Sequence, residues 1–404
     1  MTYIAWGVLL LQGALAVAAP TSGPAAPPAA STLWRHGPAP TPDDFPVAVW
    51  LQSPANAGRY KAAGINLYVG LHKGPTDAQL DALKAAGLRV ICEQNEVGLK
   101  RKDDPTIVGW MHGDEPDNAQ PATDPKTGKP TWGPPVPPER IVADYQKLRA
   151  ADPTRPILLN LGQGVANDRW KGRGSGAKLD DYLTYVRGSD IVSFDVYPVS
   201  TLREQGDGEG AELLHLVAKG VERLTQWTSG RGEPKLVWSC IETGVIGDPA
   251  RKPTPHQVKA EVWMAVIHGA RGIIYFVHQF KPRFNEHALL DDPEMLAAVT
   301  AVNAQLRELA PVINAPAADG AVKATTSDAN VPVAATARRH NGATYVFAVG
   351  MRNAATTATF TLTDPPAGAA EAEVIGEGRR VPVKDGAIVD AFGAYDVHLY
   401  RLGR

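Results

Sequence analysis

Apolar runs of five to eight residues recur along the middle of the chain, each followed by a stretch of helical period. The first run is Pro46–Leu51 (PVAVWL), followed by a short helical stretch near Ala55–Ala63. Ile65–Leu71 precedes a helix predicted over Thr76–Ala86, where Thr76 caps, Leu80, Leu83 and Ala86 share a face, and Gly87 stops it. The pattern continues with Leu88–Glu93, then Ile107–Asp117 (IVGWMHGDEPD), a long Pro/Gly loop over 118–137, and a helix over Pro138–Ala151. Pro156–Leu161 leads to Leu179–Arg187, Asp190–Tyr197 to Ala211–Thr228, Lys235–Glu242 to Pro255–Ala270, and Gly272–Gln279 to Pro293–Leu309.

Strands alternating with helices imply parallel β-α-β units. Eight such units at this length predict an α/β fold, a closed (β/α)8 TIM barrel over residues 44–315. The rival, a doubly wound open sheet, would place a Gly-rich phosphate turn after the first strand. Here that strand runs into LQSPANAG. From about Ala321 the helical period gives way to short alternating runs such as ATYVFAVGM and TATFTLT, separated by turns such as His340-Asn341-Gly342. Residues 316–404 are therefore expected to form a small antiparallel β-sandwich.

The N-terminus is different. Ile4–Ala19 is apolar and ends in Ala-Val-Ala-Ala-Pro, which reads as a signal peptide over 1–19 with an A-x-A cleavage site, although no Lys or Arg precedes it. Residues 20–43 read as a disordered Pro/Ala-rich linker. The expected location is periplasmic or extracellular, with no membrane span after cleavage. A formal net charge of -2 and the lack of a dense basic run argue against a nucleic-acid partner. The two cysteines, Cys92 and Cys240, lie in apolar runs and read as buried free thiols.

Active-site residues of such a barrel sit at the C-terminal strand ends. Those ends carry Glu93, Gln94 and Asn95; His112, Asp114 and Glu115; Asn160 and Gln163; Asp195 and Tyr197; Glu242; and His278 and Gln279. Glu115 ends the fourth strand and Glu242 the seventh, on opposite sides of the ring. Two carboxyl groups flanking a bond suit glycoside hydrolysis, one protonating the leaving oxygen while the other attacks or activates water. Trp132 and Trp170, in the loops after strands four and five, are candidates for stacking on sugar rings. His112, Asp114, His278 and His287 lack the tight spacing of a hydrolytic zinc site, so no metal and no cofactor is expected. No G-x-S-x-G elbow or Walker loop is present.

These residues resemble the barrel glycoside hydrolases of clan A, which carry an acid/base glutamate at the end of strand four and a nucleophile glutamate at the end of strand seven. GDEP supplies Glu115, with Pro116 following, and WSCIETG supplies Glu242. The departure is Asp114, where many members have an asparagine that binds the sugar 2-hydroxyl. The resemblance implies an exported glycoside hydrolase acting on an oligosaccharide or polysaccharide by a retaining double displacement, with Glu115 as acid/base and Glu242 as nucleophile about 5–5.5 Å apart. Asp114, Asn160, Asp195, Tyr197, Trp132, Trp170 and His278 are the candidate substrate-binding residues. The alternative is a non-catalytic carbohydrate-binding barrel.

Overall fold

The computed structural model describes residues 34–170, 178–201, 213–230 and 234–403. The signal-like segment 1–19 and the first part of the linker lie outside them. Residues 34–43, expected to belong to that linker, are placed against the barrel: the His36 amide donates to the Thr154 carbonyl at 3.1 Å, and Trp34 packs on the interior cluster of the sheet.

The barrel strands run in chain order. β1 (Val47–Trp50), β2 (Leu67–Val69), β3 (Arg89–Glu93) and β4 (Ile107–Asp114) pair in parallel. A two-stranded hairpin, β5 (Pro121–Thr123) with β6 (Pro130–Trp132), rises from the long loop. β7 (Ile157–Leu161), β8 (Ile191–Phe194), β9 (Leu236–Val237), β10 (Ser239–Glu242) and β11 (Ile273–Phe276) complete the parallel sheet. β9 and β10 are one strand interrupted at Trp238: β9 pairs with β8, and β10 with β11. β11 pairs with β1 and brings the two sides of the sheet together. The expected (β/α)8 order is therefore observed.

Period two along the strands divides their side chains between two cores. Ala48, Trp50, Ile91, Leu158, Ile191, Trp238, Cys240 and Ile274 fill the barrel interior. Val47, Val49, Val90, Cys92, Leu159, Phe194, Ile241 and Tyr275 face the surrounding helices. Both faces are covered, as a parallel sheet requires.

The helices are α1 (Ala57–Ala62), α2 (Asp77–Ala86), α3 (Glu96–Lys100), α4 (Pro138–Ala151), α5 (Tyr182–Tyr185), α6 (His215–Thr228), α7 (Pro255–Ile267) and α8 (Pro293–Asn314). α2 begins with a reciprocal Thr76–Gln79 capping box and ends at Gly87, whose φ of 66° needs no Cβ-bearing residue. α6 lies close on the sheet through Gly220, where an added Cβ would fall 2.2 Å from the Phe194 ring. Gly220→Ala is therefore expected to destabilise the fold by about 1–3 kcal/mol, read as a lower urea midpoint.

The C-terminal unit is antiparallel. Its strands are β12 (Val322–Thr326), β13 (Val333–His340), β14 (Ala343–Gly350), β15 (Thr356–Leu362), β16 (Glu371–Val374), β17 (Arg379–Lys384), β18 (Ala387–Phe392) and β19 (Val397–Leu402). One layer is β13-β14-β19-β16 and the other β12-β15-β18. β17 joins both, pairing with β16 through Arg379–Pro382 and with β18 through its last two residues. Val346, Phe360, Ile388, Phe392 and Tyr400 fill the space between them. The outer side of this β-sandwich packs on α7, with Phe347 tilted against Trp263 at 5.2 Å between ring centroids.

Candidate active site

The motif that ends β4 is reshaped by a register shift. Met111 pairs with Leu158, but Asp114 pairs with Asn160, so three steps on β4 match two on β7. A bulge of this kind re-aims side chains at a strand end. Glu115 follows with φ 44°, a left-handed conformation uncommon for a residue with a side chain. On a regular strand, neighbouring acids would point to opposite faces. Here Asp114 and Glu115 both line one cavity of about 510 Å³.

The exit from the motif is tied down. The Glu115 amide donates to the Asn160 carbonyl at 3.0 Å. Asp117 is buried and accepts from the Gly162 amide and the Tyr182 hydroxyl, each at 2.8 Å. Burial pushes the Asp117 carboxyl up to about 6. Trp170 Nε1 donates to Asn118 Oδ1 at 2.7 Å, so Trp170 and Asn118 meet across the rim.

Period two also carries polar residues inward at the mouth. Asn160 has the parity of Leu158, Asp195 and Tyr197 that of Ile191, and Phe276 and His278 that of Ile274. All five line the cavity. Asn160 is the hub: its Nδ2 donates to Asp114 Oδ1 at 3.0 Å, and its Oδ1 accepts from Ser193 Oγ at 2.8 Å and from the Cys240 thiol at 3.6 Å. Cys240, read as a core thiol, thus also forms part of the cavity floor.

Asp195 is 9% exposed and its carboxyl lies beside that of Glu115 in the cavity. Burial, then the charges of Glu115 and Asp114, hold the Asp195 carboxyl well above the usual carboxylate range, so it keeps its proton. Burial also raises the neighbouring Tyr197 hydroxyl and lowers the His278 imidazole, which stays neutral. Gln52 holds the His278 ring through its amide at 3.3 Å, and that amide is itself oriented by the Tyr60 hydroxyl at 2.6 Å.

One wall is aromatic. Tyr197 meets Phe276 at 5.0 Å, Phe276 and Phe280 stack at 6.1 Å, and His278 and Phe284 stack at 5.9 Å. Phe280 and Phe284 are 44% and 61% exposed. The run YFVHQFKPRF contains the signal for this wall, aromatic rings at Phe276 and Phe280 in period two with His278; the strand ends alone single out only His278. Trp50, Leu51, Thr201 and Ile246, also in the lining, carry no such signal.

Asp114, Glu115, Asn160, Trp170, Asp195, Tyr197 and His278 are therefore gathered around one cavity, together with Gln163. Two expected members lie elsewhere. Trp132 sits on the β5–β6 hairpin, 48% exposed, outside the lining. Glu242 is fully buried and absent from the lining, although its strand parity points inward. Its carboxylate is taken by the turn after β8: Oε1 accepts from the Val199 amide at 2.6 Å, and Oε2 accepts from the Ser200 amide at 2.9 Å and from the Ser200 hydroxyl. Behind it lies Glu261 of α7, also fully buried, whose carboxyl is raised by burial and by the Glu242 charge. His112 turns away too: Gly113 N donates to its Nδ1 at 2.6 Å and its Nε2 meets the Ile141 carbonyl at 3.1 Å. Among the described residues, no group of three or more His, Cys, Asp or Glu side chains is placed to hold a metal ion.

A (β/α)8 barrel with acids converging at its C-terminal mouth and a β-sandwich against its flank has the architecture of the barrel glycoside hydrolases. Solved structures bear out that resemblance in fold. A GH42 β-galactosidase from G. stearothermophilus superposes with a TM-score of 0.56 at 9% identity, over 90% of this chain and 98% of its own. AmyP, solved in complex with maltose, gives 0.53 at 10% identity over 89% and 96%, and a putative α-galactosidase from Bacteroides fragilis gives 0.51 at 10% identity over 90% and 80%. No family model matches the chain, and no curated protein matches it.

Proposed function

We propose that this protein is an exported glycoside hydrolase that cleaves an O-glycosidic bond of an oligosaccharide or polysaccharide, with Glu115 and Asp195 as its paired carboxyl groups. The observation that carries this reading is the gathering of Asp114, Glu115 and Asp195 in one cavity walled by aromatic rings. Glu115, closer to solvent, protonates the leaving oxygen and is resupplied with a proton by the buried Asp195 beside it; carboxyl groups on either side of the bond would need about 5 Å or more between them, so these two serve one acid step. This assignment keeps the donor that the resemblance implies and departs from it at Glu242, the implied nucleophile. It is preferred because the Glu242 oxygens are already engaged by the 199–200 turn.

In the sugar site, Asp114 and Asn160 bind hydroxyls from below, while Trp170 and the phenylalanine wall face the apolar C–H surfaces of the ring. The test is a panel of aryl glycosides and oligosaccharides followed by proton NMR. Appearance of product anomers identifies cleavage, and the first anomer formed separates retention from inversion. A second reading, a carbohydrate-binding barrel without catalysis, is favoured by the engagement of Glu242 away from the cavity. Binding without turnover across the panel would establish it.

A further inference from the structure

We propose that the sugar bound in this cavity carries a free amino group, so that the substrate class is an amino-sugar glycoside. For the bond cleaved, this rests on the glycosidase reading above; for binding, it stands on the cavity alone. Three carboxyl groups, Asp114, Glu115 and Asp195, face the same space, and no Lys or Arg is found among its described lining residues. Asp195 is nine-tenths buried, and among the described residues no N–H or O–H donates to its Oδ1. A buried acceptor of this kind needs a donor from outside.

The aromatic wall adds a second attraction for positive charge. Ring faces draw a cation through their quadrupole. Tyr197, Phe276, Phe280 and Phe284 form such a wall, joined to the acids through the short span from Asp195 to Tyr197. An ammonium group supplies three donors and one positive charge to this cleft. A hydroxyl supplies one donor and no charge, and N-acetylation removes the charge. A carboxylated sugar would be repelled.

The test is titration calorimetry of the full chain at about pH 6, where the amine is protonated. The probes are D-glucosamine and D-galactosamine, each compared with its hydroxyl and N-acetyl counterparts. At least one amino sugar is expected to bind about tenfold more tightly than both counterparts. Asp195→Ala, which removes the Oδ1 acceptor, is expected to abolish that preference. Phe284→Ala, at an exposed position that folding does not need, is expected to reduce it by about threefold. Equal or tighter binding of the neutral or N-acetyl sugars overturns the inference, as does no binding by any probe. Cleavage of neutral aryl glycosides without an amino preference leaves the glycosidase reading standing and removes this one. An amino preference without cleavage does the reverse.

Discussion

Asp195→Asn and Glu115→Gln are each expected to lower kcat by about 10²–10⁴-fold on a natural glycoside, with the fold intact by circular dichroism. Activated substrates test whether both serve the acid step. A dinitrophenyl leaving group departs without protonation, so loss of the proton donor costs little there. Both variants are therefore expected to recover most of their activity on such a substrate. A Glu115→Gln variant that stays inactive there would make Glu115 the attacking carboxylate instead. The alkaline limb of the wild-type pH profile follows from the same site. Burial, then the neighbouring acids, keep the Asp195 proton in place above the usual carboxylate range, so activity should persist to higher pH than an isolated aspartic acid would allow.

The second large effect concerns stability. Glu242→Ala is expected to destabilise the protein by about 3–5 kcal/mol, because it strands the Val199 and Ser200 donors and leaves Glu261 buried beside a void. The buried pair also sets a pH dependence. Burial raises Glu242 from 4.5 to about 7, and burial together with the Glu242 charge raises Glu261 further. Between pH 4.5 and about 7 the folded state therefore holds more protons than the unfolded chain. Stability must fall as pH rises through that window, and must keep falling until Glu261 loses its proton. Glu261→Gln keeps a donor toward Glu242 and removes one acid. It should flatten the slope and raise the melting temperature at pH 8. A melting temperature that climbs from pH 5 to pH 8 in the wild type would contradict this account.

Much of the barrel was legible because its strands are buried on both faces and so read as unbroken apolar runs. Helices were equally plain: α2 is capped by Thr76 and stopped at Gly87, and α4, opened by Pro138 at its first position, spans Pro138–Ala151 as expected. α3 and the β5–β6 hairpin were not. α3 is only five residues long, and the hairpin lies in a Pro/Gly stretch whose pairing is set by the chain around it. At the site, strand parity delivers Asn160, Asp195, Tyr197 and His278. It also points Glu242 inward. What it does not contain is the turn at 199–200 that captures that carboxylate, or Glu261 on a helix further along the chain. Two acids at strand ends look alike in sequence; only their neighbours in space distinguish a reactive group from a brace.

The position of α7 has a mechanical consequence. Its last eight residues, from Ala260 to Ile267, are all buried. Glu261 faces the braced turn beside the cavity, while Trp263 meets Phe347 of the sandwich. The sandwich is thus the outer jacket of a helix whose inner side supports the catalytic rim. A chain stopped at Ala315 would lay that side of α7 bare to water, and the barrel would lose cooperativity where Glu242 is anchored. Barrel and sandwich should melt in a single transition, as one folding unit.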